Sequence, residues 1–347
     1  MHLVNDSNKK QHVYVTYGRQ FAAYRWYKPI LVGLLFVIFY LLFVVILAFG
    51  LQLGLGFSAD GSTNISQYIS TGYDDFNIID WQGSLINLGA VAVMIPALAL
   101  AALIVRDRPY SSYSSARGGW NSRVFFRCLL VALVCVGLPV ILLALRDNDH
   151  APVNKFTLIS FAVLTVIGPL QCIAEEYVYR GLLMQTLGSW FRIPVIAIIL
   201  EAAVFAASHP YNWIGKVEIL ISGLVFGLAA WIGRGIEASA ALHVVNNMTI
   251  FYLVGLDLAQ IGSEASIESL IETAILYGLY IAAVFFISRK TKLFDYIKKE
   301  DAAIANEKYY EKKRRKAEKR GKTYEPPAGI PLLIIDTDSS IDERLEV

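Results

Sequence analysis

The chain has 347 residues, of which 56% are hydrophobic and only 17% charged, with a formal net charge of +2. Soluble domains carry about a quarter of their residues as charges. Here the charges collect between long apolar runs, which excludes a soluble protein and indicates one that lives in a bilayer.

A helix needs about 20 apolar residues to cross roughly 30 Å of hydrocarbon. Such windows occur at 30–51, 85–105, 125–145, 156–187, 194–209, 217–232, 236–256 and 271–287. The expected fold is therefore all-α: a polytopic membrane helix bundle of about eight transmembrane helices. It divides into an N-terminal arm (1–28), a membrane domain (29–288) and a tail (289–347). The first apolar run is of spanning length and follows about 28 polar and aromatic residues, so no cleavable signal peptide is expected.

Basic loops stay in the cytoplasm. Lys9, Lys10, Arg19, Arg25 and Lys28 mark the arm, and Arg106, Arg108, Arg117, Arg123 and Arg127 mark the second loop. The segment 56–81 carries Asp60, Asp74, Asp75 and Asp80 with no basic residue, and 257–272 is likewise acidic, so both face outward. Arg192 and Arg234 mark tight turns, and both termini are expected in the cytoplasm. Asn64-Ile-Ser66 forms a sequon on the outer loop.

Cys128, Cys135 and Cys172 lie in apolar spans without a CxxC pair, so they are read as packing residues. In the tail, Lys312, Lys313, Arg314, Arg315, Lys316, Lys319 and Arg320 form a basic cluster. Such clusters are drawn to anionic lipid, but a solvated helix that enforces topology is the simpler account, and no nucleic-acid partner is expected. Beyond Glu325 the chain turns acidic and proline-rich, although 331–335 could dock.

Against this background the polar groups inside the spans stand out, because a charge at mid-bilayer costs about 2.5–3.5 kcal/mol on insertion scales. Glu175, Glu176 and Arg180 lie in the fourth window, Phe205, Ser208 and His209 in the fifth, and His243, Asn246 and Asn247 in the seventh. Glu176 with Arg180, Phe205 with His209, and His243 with Asn247 are i, i+4 pairs that share a helix face.

Depth agrees as well. Glu175 lies 17 residues before Arg192 and His209 17 residues after it, so a hairpin about Arg192 places them level. Asn247 comes 12 residues past Gly235 and Glu175 13 before Gly188, which puts both about 18–19 Å along their helices, with His243 one turn shallower.

A carboxylate in an apolar cavity gains proton affinity, so it can take a proton from water and return it to a leaving amine. A neighbouring histidine can orient the water. A second histidine and an asparagine amide are donors suited to the negative charge that develops on a carbonyl oxygen. Arg180 would neutralise Glu176, leaving Glu175 as the base.

Glu-Glu-x-x-x-Arg in one span, Phe-x-x-x-His in the next and His-x-x-x-Asn two spans later resemble the CAAX protease and bacteriocin-processing (CPBP, Abi) family, the type II CAAX prenyl endopeptidases. The resemblance runs from 169 to 248 within a core at 156–256, and takes in Gly181-Leu-Leu, Gly223, Gly227 and the Arg234-Gly turn. It implies an intramembrane endopeptidase in which Glu175 activates water with His209, and His243 with Asn247 stabilises the oxyanion. Glu176 and Arg180 would be the supporting ion pair, and Phe205 would pack beneath the site. Asn246 receives no role, and Ser208 is read as a packing residue.

Proteins of this family are often labelled metalloproteases, and Glu175, His209 and His243 could hold zinc with an open position. The compact HExxH pattern is absent, so metal-free chemistry is favoured and no cofactor is expected. The partners implied are the bilayer and a membrane-associated peptide or protein substrate, in a bacterial plasma membrane. The alternative is a non-proteolytic regulator or bacteriocin-immunity partner on the same scaffold. A transporter is disfavoured, because repeated halves and paired broken helices are missing. Gly223 and Gly227 read as a small-xxx-small packing pair.

Overall fold

The computed structural model describes residues 13–54, 78–260 and 265–327. The expectations placed on Lys9, Lys10, Asp60, Asp74, Asp75, the sequon at 64–66 and residues 331–335 lie outside the described residues. Among the described residues the chain is a helix bundle without β-strands, as expected.

The helices are α1 (Lys28–Gly54), α2 (Trp81–Ala92), α3 (Met94–Val105), α4 (Ser122–Ala132), α5 (Leu138–Asp147), α6 (Leu158–Glu176), α7 (Gln185–Phe191), α8 (Pro194–Ala207), α9 (Trp213–Gly233), α10 (Glu237–Gly255), α11 (Ile267–Lys290) and α12 (Asp301–Glu318). Three spans are composite. α2 and α3 run on from one another, α4 passes into α5 through the π-wound Leu133–Gly137, and α6 passes into α7 through the π-wound Tyr177–Met184.

Among the described residues six spans are long and apolar enough to cross a membrane: Lys28–Leu51, Trp81–Val105, Ser122–Asp147, Leu158–Phe191, Trp213–Gly233 and Ile267–Lys290. Two of the eight expected spans fall short of that measure. α8 has 14 residues, about 21 Å of helix. α10 has 19, but Glu237, Ser239, His243, Asn246, Asn247 and Thr249 dilute its apolar character. Thirteen of those 19 residues are buried, so protein rather than lipid surrounds its polar groups.

Helix starts follow local hydrogen-bond chemistry. Asp80, Asn121 and Asn212 accept from backbone N–H groups of the first turn, and Thr157 with Ser160, like Ser266 with Ser269, forms a capping box. Stops are unusual: Arg106, Arg192 and Arg234 all close their helices at positive φ, at 53°, 61° and 58°. A left-handed non-glycine residue costs about 1–2 kcal/mol, which the bundle offsets at Arg192 and Arg234 because each turns the chain directly into the next packed helix. The tight turns expected at Arg192 and Arg234 are these caps.

α10 is the centre of the bundle, packed against α4, α6 and α9, while α9 packs on α8 and α11. Gly223 and Gly227 sit at the α8–α9 crossing. A Cβ at Gly223 would meet Ala202 Cα at 2.9 Å, and one at Gly227 would meet Ile198 Cγ2 at 2.8 Å. The small-xxx-small pair therefore serves close helix packing. α1 lies at the edge, and Leu34, Ile38, Leu41, Val45 and Phe49 form an exposed apolar row suited to lipid.

The start of α10 is clamped from the second loop. The Ala116 amide donates to Arg234 O at 3.0 Å and the Ile236 amide to Ser114 O at 2.8 Å. Arg117 meets Glu237 at 2.6 Å with both side chains sealed from solvent, and the Asn121 amide donates to Glu237 Oε1. This fixes the axial position of α10, and with it His243 and Asn247.

Beneath the bundle the arm folds back: Tyr14–Gln20 forms a 3-10 helix whose Tyr14 hydroxyl donates to Tyr113 O. α12 returns to the same end, where Asn306 accepts from the Ala22 amide at 2.6 Å and donates to Gln20 O at 2.8 Å.

Candidate active site

A cavity of about 420 Å³ opens between α1 and α2 on one side and α6, α8, α9 and α10 on the other. Its polar wall carries Glu175 and Gln171 from α6, Phe205 of α8, His209 just past α8, and His243, Asn246 and Asn247 from α10. Its apolar wall is built by Tyr40, Val44 and Leu47 of α1 and Ile86, Leu88 and Val91 of α2. The equal-arm argument thus agrees with the arrangement: Glu175, His209, His243 and Asn247, from three segments, meet at one space.

Adjacent residues on a helix point about 100° apart, so Glu175 and Glu176 part company. The Glu175 side chain keeps 13% of its surface accessible and faces the cavity. Glu176 turns inward and is wholly buried. There its Oε1 receives Arg180 at 3.0 Å and His243 Nδ1 at 2.9 Å. The π-wound segment begins at the very next residue, a widening often found at functional positions.

Opposite a carboxylate held by an arginine, His243 Nδ1 acts as the donor. Nε2 then faces Glu175, with Oε2 at 3.4 Å. The ring is stacked on Phe226, centroids 4.9 Å apart and planes at 22°, so its plane is fixed as well as its tautomer.

His209 follows the C-terminal turn of α8, where carbonyls lack helical partners. Its Nδ1 lies 2.7 Å from Phe205 O. A carbonyl only accepts, so Nδ1 carries the proton and Nε2 of the neutral ring is a bare acceptor. Phe205 packs edge-on against His209 at 4.7 Å, and its other face lies under the Arg180 guanidinium at 4.5 Å. Ser208 donates to Phe205 O and accepts from the Tyr179 hydroxyl, both at 2.8 Å, so it is tied into the fold.

Asn247 is oriented from both ends. Its Nδ2 donates to Gln171 Oε1 at 3.3 Å, and its Oδ1 accepts from Asn246 Nδ2 at 3.1 Å. One N–H of the amide is left for a guest in the cavity. Asn246, for which the motifs suggest no role, thus fixes the sense of the Asn247 amide together with Gln171.

Two participants escaped the sequence reading. Gln171 lies one turn before Glu175 on the same face, but a neutral amide gives no charge signal. Glu201, wholly buried on α8, places Oε1 3.4 Å from Arg180 Nε, so Arg180 stands between two carboxylates. Its signal was available: a charge inside an apolar window, four residues before Phe205.

Among the described residues no three His, Cys, Asp or Glu side chains form a group that could hold a metal ion. Glu175, His209 and His243, the residues read for zinc, are among those that do not form such a group; His243 Nδ1 is committed to Glu176 and His209 Nδ1 to a carbonyl, with Nε2 of each ring left free.

Residues 156–249 match the family model described as type II CAAX prenyl endopeptidase Rce1-like. The match includes every motif residue from Glu175 to Asn247 and leaves out α1 and α2, which build the opposite wall. The chain is also 25% identical, over 167 residues, to the uncharacterized protein YyaK of Bacillus subtilis (strain 168). That alignment covers 44% of this chain and 55% of the relative, so it spans about half of the relative's length. No solved structure matches the chain. The resemblance carried by the three motifs is borne out over the matched segment.

Proposed function

We propose, from the match of residues 156–249 to the type II CAAX prenyl endopeptidase family, that this protein is an intramembrane endopeptidase acting on a membrane-associated protein or peptide. The observation that carries the proposal is the convergence of Glu175, His209, His243 and Asn247 on one cavity walled on its far side by apolar side chains of α1 and α2.

In this account a water enters between Glu175 and His209. Glu175 takes its proton while the bare Nε2 of His209 accepts the other hydrogen in a hydrogen bond, and the oxygen attacks the scissile carbonyl carbon. The developing oxyanion accepts from Asn247 Nδ2 and from His243 Nε2. With Nδ1 already donating to Glu176, this second donor requires both ring nitrogens to carry hydrogen, the Nδ1–H being held by the Glu176 carboxylate. Glu175 then delivers its proton to the leaving amine as the C–N bond breaks.

No metal takes part in these steps. Support for metal-free chemistry comes from the placement of the donors: among the described residues Glu175, His209 and His243 do not form a group that could hold a metal ion. Arg180 pairs with Glu176 from behind, both side chains sealed from solvent. We place the protein in the plasma membrane of a bacterial cell, with both termini in the cytoplasm, following the basic loops.

The test compares membrane proteomes of cells carrying the natural chain and Glu175→Gln for protein termini. Uncleaved precursors accumulating in the variant support the endopeptidase. A Glu175→Ala strain that keeps the cellular phenotype would instead identify a non-proteolytic membrane partner on the same scaffold.

A further inference from the structure

Where the N-terminal arm meets the tail helix, away from the catalytic cavity, a second cavity of about 380 Å³ opens. Its lining includes Arg19 and Arg25 from the arm and Lys313 from α12, and no carboxylate among the described residues. Three cations around one concavity repel one another unless an anion joins them.

The cavity is built rather than incidental. Asn306 ties both sides together through Ala22 N and Gln20 O. Arg25 Nη1 donates to Tyr24 O at 2.6 Å and to Ala22 O at 3.1 Å, and Nη2 reaches the Tyr309 hydroxyl at 3.4 Å. Lys313 Nζ stands over the rings of Tyr309 and Tyr324, at 5.1 and 5.6 Å from their centroids. These contacts set the direction of two cations while leaving further N–H groups for a guest.

Position supplies the source of the anion. Trp26 and Tyr27 follow Arg25 directly, are 67% and 45% exposed, and precede the lipid-facing α1. Exposed aromatic residues at a span terminus sit at headgroup level, so the cavity lies beside the phosphates of one leaflet.

We propose that this cavity binds the phosphate-bearing headgroup of an anionic phospholipid, clamped by Arg19, Arg25 and Lys313. The lipid would join the arm to the tail helix and so brace the end of the bundle. The site is independent of the proteolytic chemistry.

The test is native mass spectrometry of the detergent-solubilised full chain with phosphatidylglycerol, phosphatidylcholine or inorganic phosphate. The natural chain should retain phosphatidylglycerol in preference to phosphatidylcholine. The double variant Arg25→Gln/Lys313→Gln should lose that retention by about tenfold or more, since each juxtamembrane cation contributes about 1 kcal/mol. Lys312→Gln/Lys316→Gln removes the same charge from the side of α12 outside this cavity and should retain the lipid. Equal loss in the two double variants, or no preference for the anionic lipid, overturns the site. Displacement of the lipid by millimolar inorganic phosphate overturns the lipid as the source.

Discussion

His243 Nδ1 and Glu176 Oε1 lie 2.9 Å apart, with the carboxylate sealed from solvent and the imidazole 4% exposed. The second glutamate of the pair therefore does more than balance Arg180: it sets the tautomer and the aim of the histidine that faces Glu175. Removing Glu176 as alanine leaves Arg180 buried with Glu201 as its neighbouring carboxylate, at 3.4 Å. Loss of one partner of a buried ion pair costs about 3–5 kcal/mol, so Glu176→Ala should lower the melting temperature in detergent. Glu176→Gln keeps the shape and loses the charge, and should fold while turning over more slowly. An unchanged turnover number for Glu176→Gln would contradict the orienting role.

Asn247 and its two anchors give a graded series. Asn247→Ala should lower kcat by about 10²–10³ with little change in KM, the effect of deleting one oxyanion donor. Gln171→Leu and Asn246→Ala free the amide to turn and should lower kcat by smaller factors. Steady-state kinetics on a shared peptide substrate distinguish this from a binding defect, which would raise KM instead.

Arg180 is shared between Glu176 and Glu201, but the Glu176 contact is shorter, 3.0 against 3.4 Å. Glu201→Gln should therefore leave turnover within a few-fold, whereas Arg180→Met should abolish it by leaving two buried carboxylates without the guanidinium they share. Comparable losses in the two variants would move Glu201 into the working machinery.

Packing at the α8–α9 crossing can be tested apart from chemistry. Gly223→Ala places a Cβ within 2.9 Å of Ala202 Cα and Cβ, and overpacking of this kind costs about 1–3 kcal/mol. A fall in melting temperature is expected, with reduced activity because α8 delivers Phe205 and His209.

Much of the site was legible because bilayer chemistry makes polar residues conspicuous. Glu175, Glu176, Arg180, His209, His243 and Asn247 each break an apolar window, and equal helical arms on either side of Arg192 place Glu175 and His209 at one depth. The tight turns at Arg192 and Arg234 were visible as lone polar residues between apolar runs, though not their left-handed backbone. Less was legible where the decisive term is tertiary. Apolar windows do not reveal that α8 is only a 14-residue helix or that α10 is surrounded by protein. Gln171 and Asn246 act through amide geometry, which leaves no trace in hydropathy. The docking of Tyr14–Gln20 and α12 against the end of the bundle follows from long-range pairs such as Tyr14 with Tyr113 and Asn306 with Gln20, separated by 99 and 286 positions.

The most direct measurement of the central claim uses the full chain in proteoliposomes, with a library of membrane-anchored peptides read by mass spectrometry in chelator-treated buffer. Peptide cleavage should proceed with the natural chain and fall by about 10²–10⁴ in Glu175→Gln, the range expected for loss of a general base, with an unchanged melting temperature. Cleavage by Glu175→Gln at the natural rate, or cleavage by the natural chain only after metal is restored, would contradict the account.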